Sequence, residues 1–151
     1  MNPTVPADAG SSVPTATEVW FAMNSLVRDQ AKSSRDRISA VIDIPFSRFR
    51  ALRRIAVRDL TQRELAERLG VDAPAASGIV NDLVERGLAT RRPHPTDGRC
   101  KLVTITEEGR RAVAAVTEDP ATAPPMFAAL DATQLRTLAD LLESLRVAAD
   151  G

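Results

Sequence analysis

Residues 60–70 read LTQRELAERLG, and this stretch decides the fold. Thr61 and Glu64 have the spacing of a capping box. In that motif the hydroxyl accepts from a first-turn N–H, and the carboxylate returns to the N–H of the cap residue. Leu65, Ala66 and Leu69 then form a narrow apolar face. Gly70 is a natural helix stop. A second helix is predicted to start three residues on, with Asp72 as N-cap and Pro74 in a first turn that needs no donor there. Its apolar side is Ala76, Ile79, Val80, Leu83 and Val84, and Gly87 ends it. Two short helices joined by a tight turn make a helix-turn-helix.

Downstream, Leu88–Arg92 and Lys101–Thr106 have the β-formers of two short strands, joined by a polar, turn-rich PHPTDGR. This is a hairpin with a protruding loop. Thr106, followed by two glutamates, caps a further helix with Val113 and Val116 on one face. Pro120, Pro124 and Pro125 end or interrupt it. The last helix starts at Asp131, where Gln134 repeats the capping logic, and Leu135, Leu138, Leu141, Leu142 and Leu145 form an apolar stripe. Upstream, residues 1–14 hold three prolines and no periodic pattern, and read as a disordered arm. Residues 15–42 read as one long helix or two in series. Asp43 is a cap for a helix in which Pro45 occupies the first turn and Phe46, Phe49, Leu52 and Ala56 follow at helical spacing.

The fold expected is mainly α with a small β-hairpin wing (α+β). A winged helix-turn-helix over 46–106 lies between helices at 15–44 and 107–148, all within one domain, 15–151. Composition narrows the function. One cysteine and one histidine among 151 residues exclude a disulfide framework and speak against a zinc or His-rich catalytic centre. There is no Gly-rich phosphate loop or nucleophile elbow, so no enzyme, metal or cofactor is expected. No apolar run reaches the length of a membrane span and no secretory signal pattern opens the chain, which predicts a cytoplasmic protein. Tyr is absent and aromatics are 3% of the chain, too few for single-strand stacking platforms. The net charge of zero hides an asymmetry. Residues 46–101 hold 12 basic and 7 acidic side chains, and the remainder 8 basic and 13 acidic, giving +5 against −5. A basic head on an acidic frame suits duplex DNA.

LTQRELAERLG, followed by GIVNDLVERGLATRRPHPTDGRCKLVTITEEGR, resembles the MarR family of bacterial transcription regulators over about residues 60–111. The wing carries the resemblance: Arg91, Arg92, Pro93, Pro95, Asp97 and Arg99, then a strand and Thr-Glu-Glu-Gly. The resemblance implies a homodimer with interlocking N- and C-terminal helices, a pseudo-palindromic double-stranded operator, and in many cases release by a small aromatic or anionic effector. It makes Arg99 the wing arginine of the minor groove and Asp97 the acid that holds its side chain. Two-fold symmetry would set the recognition helices about 34 Å apart.

The outward positions of the second helix are Pro74, Ala75, Ser77, Gly78, Asn81 and Asp82. Gly78 stands where the family often has a basic residue. Ser77 and Asn81 either read bases or touch only phosphate and water. Gln62 and Arg63 are placed to contact phosphates, or form a solvated surface. Arg91, Arg92, His94 and Lys101 complete the expected DNA-binding set; His94 replaces an acid of the family, or has no task. Trp20, Met23, Phe46 and Phe49 would line an effector cleft, or else serve as core and dimer packing. Two alternatives remain open: a winged helix used for protein contacts with DNA binding weak or lost, and a redox-sensing regulator based on Cys100.

Overall fold

The capping box expected at Thr61 is present in full. In the computed structural model, which describes residues 12–151, the Thr61 hydroxyl accepts from Glu64 N–H at 3.2 Å and the Glu64 carboxylate accepts from Thr61 N–H at 2.8 Å. The elements are α1 (Ala16–Val41), α2 (Phe46–Val57), β1 (Leu60–Thr61), α3 (Gln62–Leu69), α4 (Ala73–Glu85), β2 (Ala89–Pro93), β3 (Lys101–Ile105), α5 (Glu107–Thr117) and α6 (Ala132–Asp150). Two short 3-10 turns, Pro120–Thr122 and Pro125–Ala129, occupy the proline-rich connection to α6. The arm expected at the N-terminus lies outside the described residues except for 12–14.

The chain divides into two compact units after Lys32. The first, where described, is the early part of α1, opened by reciprocal bonds between Thr15 and Glu18. Trp20 and Phe21 are 61% and 65% exposed there. The second unit holds the remainder. Its core joins Leu52 and Ile55 of α2, Leu65 and Leu69 of α3, Ile79, Val80 and Leu83 of α4, and Val103 and Ile105 of β3. Each such side chain contributes about 1.5–3 kcal/mol by leaving water.

Gly70, at φ +67°, ends α3 in the left-handed conformation that glycine adopts without penalty. Asp72 accepts from Ala75 N–H at 2.8 Å and opens α4. β3 is central in a three-stranded antiparallel sheet, order β1-β3-β2, with Ala89 opposite Ile105 and Pro93 opposite Lys101. The hairpin is therefore larger than expected: Leu60 and Thr61 pair with Val103 and Leu102. Two residues are too few for an alternating pattern to reveal a strand. Asp43 is not a cap. Pro45 holds the N-cap position of α2 without a side-chain bond, and the carbonyl of Asp43 instead accepts from Arg86 at 3.3 Å.

Thr106 joins the hairpin to α5. Its hydroxyl accepts from Gly109 N–H at 3.1 Å and donates to the carbonyl of Gly87 at 2.7 Å. Gly109 is required by space: a Cβ there would overlap the Leu88 carbonyl oxygen and Ile105. That is the physical content of the Thr-Glu-Glu-Gly motif.

Candidate nucleic-acid interface

The core side of α4 leaves one face free. Pro74, Ala75, Gly78 and Asn81 are exposed, Ser77 is half-buried, and no heavy atom lies within 4 Å of where a Gly78 Cβ would stand. The face is small and uncharged. Asp82, also placed outward by its spacing, has another task. Its carboxylate accepts from Arg48 of α2 at 2.9 Å and from Arg86 at 3.0 Å, and these bonds hold its pKa below the ordinary aspartate range. Asp82 tethers α4 to α2. The Asp82–Arg86 spacing of i,i+4 is visible in the sequence; Arg48, 34 positions away, is not.

Asn81 is joined to the wing. Its side-chain oxygen accepts from Arg91 Nη2 at 2.6 Å, so two expected contact residues fix one another across α4 and β2. A second grouping lies at the start of α3, where Gln62 and Arg63 share with Arg91 and Lys101 an open groove of about 350 Å³. Three cations around one groove suit a phosphate.

The loop of the wing is internally bonded. His94 Nδ1 accepts from Thr96 N–H at 3.3 Å and Asp97 N–H at 3.2 Å, which requires the proton on Nε2. His94 thus shapes the turn, and its Nδ1 is committed to the loop. Asp97 accepts from the backbone N–H of Arg99 at 3.0 Å. Among the described residues no ion pair joins the two side chains, which corrects the expectation that Asp97 grips the guanidinium. A carboxylate two positions away closes a local turn more easily than it reaches back along a long side chain. The side chains of Arg92, Arg99 and Lys101 are exposed and make no hydrogen bond or ion pair among the described residues.

Cys100 is half-buried and donates to Asp97 at 3.5 Å; that hydrogen bond and the carboxylate's charge push the thiol pKa up. A redox sensor needs an accessible thiolate, and neither the half-buried side chain nor the raised pKa favours one at Cys100.

The sequence profile of the MarR family matches residues 42–99, from the end of α1 to the wing arginine. The protein Rv2011c of Mycobacterium tuberculosis is 35% identical over 103 residues, covering 68% of this chain and 72% of that one. A MarR family transcriptional regulator from Streptomyces coelicolor is similar in structure at 31% identity, with a TM-score of 0.55 and coverage of 87% of this chain and 95% of that chain. The chain belongs to the MarR family. A mutant of MepR from Staphylococcus aureus shares the fold at 17% identity, with a TM-score of 0.74 over 91% of this chain and 99% of that one. The winged helix is thus the MarR winged helix, and the protein is a MarR-family transcription regulator. No helix among the described residues is long and apolar enough to cross a membrane.

Of the four residues expected around an effector cleft, Trp20 and Met23 belong to the first unit and Phe46 and Phe49 to the second. Phe46 and Phe49 line a cavity of about 380 Å³ with arginines of α2 and Arg146 of α6. In the first unit, Trp20 lines an open groove with Phe21, Asn24, Ser25 and Arg28, and Met23 is half-buried.

Proposed function

We propose that this protein is a non-enzymatic, cytoplasmic repressor that binds a pseudo-palindromic operator in duplex DNA as a homodimer and is released by a small effector. The observation that carries the reading is the wing: Arg92, Arg99 and Lys101 are exposed and uncommitted on a hairpin that Arg91 bonds to Asn81 of α4. Arg99 enters the minor groove, whose narrow forms attract an arginine. Ser77 and Asn81 face the major groove from α4, while Gln62, Arg63 and Arg91 take phosphates. His94 and Asp97 hold the loop that presents Arg99. The terminal helices, 15–44 and 107–148, form the dimer frame. Their exposed apolar residues, Leu141 at 59% and Leu145 at 57% among them, support this.

The test is a salt titration of binding to a duplex spanning the region upstream of the protein's own gene. Log affinity should fall steeply with log salt. Arg99→Ala should weaken binding by about 1–3 kcal/mol with the dimer intact. An unchanged affinity removes the wing assignment, and no duplex binding at low salt removes the whole reading. The uncharged face of Pro74, Ala75 and Gly78 favours a second reading, a winged helix that contacts proteins; failure of the titration would leave that one standing.

A further inference from the structure

The loop of the wing closes on one imidazole nitrogen. His94 opens the loop after β2, and its backbone N–H donates to the Cys100 carbonyl at 3.1 Å. Its Nδ1 accepts from Thr96 N–H at 3.3 Å and from Asp97 N–H at 3.2 Å. The Thr96 hydroxyl, also at 3.3 Å, is then a third donor to the same nitrogen. Asp97 carries the arrangement onward. Its carboxylate accepts from Arg99 N–H at 3.0 Å, and its carbonyl accepts from Cys100 N–H at 3.1 Å. The backbone that presents Arg99 is therefore two hydrogen bonds away from the imidazole.

Only a neutral imidazole can close this loop. In the protonated ring both nitrogens are donors, and Nδ1–H would face two backbone N–H groups. The closed loop excludes that proton and the open loop takes it up, so falling pH favours the open loop. The change falls where an imidazole titrates. The titratable groups on the hairpin around His94 are Arg91, Arg92, Asp97, Arg99, Cys100 and Lys101. The four cations offer Nδ1–H no acceptor. Asp97 is already engaged by Arg99 N–H and the Cys100 thiol. An imidazolium could take the Asp97 carboxylate only by freeing Arg99 N–H, so in either case the turn before Arg99 comes undone.

We propose that His94 is a proton-sensitive positioning residue of the wing. Neutral, it holds the loop in the form that presents Arg99; protonated, it releases the loop, and the protein loses preference for its operator. The loss of preference rests on the operator-binding reading above; the opening of the loop does not. The carboxylates that hold the rest of the head do not take part. Hydrogen bonds keep Asp82 and Glu64 below the ordinary carboxylate range, so both stay charged while an imidazole titrates. His94 is the only histidine of the chain, which makes its ring signals unambiguous.

Two variants separate the proton from the fold. The Asn side-chain oxygen stands as many bonds from the backbone as Nδ1 and accepts at any pH, so His94→Asn should keep the loop closed. His94→Ala has no acceptor. The readout is the ratio of affinities for the upstream duplex and a scrambled duplex of equal length, because an added positive charge attracts both alike. From about pH 7.5 to about pH 5.5 the native ratio should fall about fivefold, the lower end of the cost of losing one groove arginine. It should hold constant in His94→Asn and be low throughout in His94→Ala. NMR of the full-length protein reads the loop itself. The ring-nitrogen shifts should place the proton on Nε2 at the higher pH and on both nitrogens at the lower. The Thr96 and Asp97 amides should move with that titration in the native protein and stay still in His94→Asn. A proton on Nδ1 at the higher pH, a ring still neutral at the lower, or amides that ignore the titration overturns the latch. A native ratio that does not change, an equal fall in His94→Asn, or a full ratio in His94→Ala overturns the tie to Arg99. If the native protein binds no duplex at either pH, the operator reading falls and that tie with it, while the NMR titration still decides the latch.

Discussion

Helices α4 and α6 open with the same chemistry and end in opposite situations. Asp72 accepts from Ala75 N–H at 2.8 Å, and Asp131 accepts from Gln134 N–H at 2.8 Å. Each helix then carries an apolar stripe. α4 buries Ala76, Ile79, Val80 and Leu83, while α6, 19 residues long, buries none. Local propensity therefore does not separate them. What separates them is the neighbour: α2, α3 and the sheet close over α4, whereas within the second unit no described element buries a residue of α6. The reading head is completed by intrachain packing. The frame is left open, in accord with the proposed second copy.

A matched pair of leucine substitutions tests this contrast most directly. Leu83→Ala should destabilise the head by about 2–5 kcal/mol, the usual range for a buried leucine, by an amount independent of protein concentration. Leu141→Asp with Leu145→Asp should leave the head folded. It should yield monomers in sedimentation equilibrium and weaken operator binding by about 2 kcal/mol or more, as loss of interface anchors does. The melting temperature of the native protein should rise with concentration, and that dependence should vanish in the double variant. A native melting temperature that ignores concentration would break the comparison.

Gly78 sharpens the contrast within the head. It is a glycine in the middle of α4 with open space around its missing Cβ. Gly78→Ala should raise stability by about 1 kcal/mol through helix propensity alone, measured by urea denaturation. Gly109→Ala should do the opposite, since its Cβ meets a carbonyl oxygen and a core side chain.

These cases show which parts were legible in the sequence. The capping boxes at Thr61 and Asp131, the stop at Gly70 and the Leu stripe are local, and a residue announces them through neighbours three or four positions away. The wing motif was legible because a family resemblance carried it. β1 was not, because two residues have no period. Asp82 was assigned to the outer face of α4 because its tether, Arg48, is distant in sequence and adjacent only in the fold. Asp97 was given the wrong partner atom, the guanidinium of Arg99 in place of its backbone N–H. The cavity beside α2 was not legible, since it needs Arg146 from the far end of the chain.

The two capping boxes give the finest form of the comparison. The head uses Glu64 at the third helical position and the frame uses Gln134, so one box titrates and the other does not. The Thr61 N–H, foremost, holds the Glu64 carboxyl below the usual glutamate range, with Arg58 assisting. A carboxyl depressed in the folded state adds stability that is present above its unfolded pKa and is lost as pH falls through the folded one. Glu64 is partly exposed, so solvent screening keeps this contribution below about 1 kcal/mol. Glu64→Gln retains both hydrogen bonds of the box and removes the charge. Denaturation at pH 7 and again just below the ordinary glutamate range should show the native head losing slightly more stability than the variant. Asp82, bonded to Arg48 and Arg86, loses its share in the same direction in both proteins and cancels from the difference. Equal acid losses would mean that Glu64 binds Thr61 as tightly in the unfolded chain, and that the box is formed before α3 meets the rest of the head.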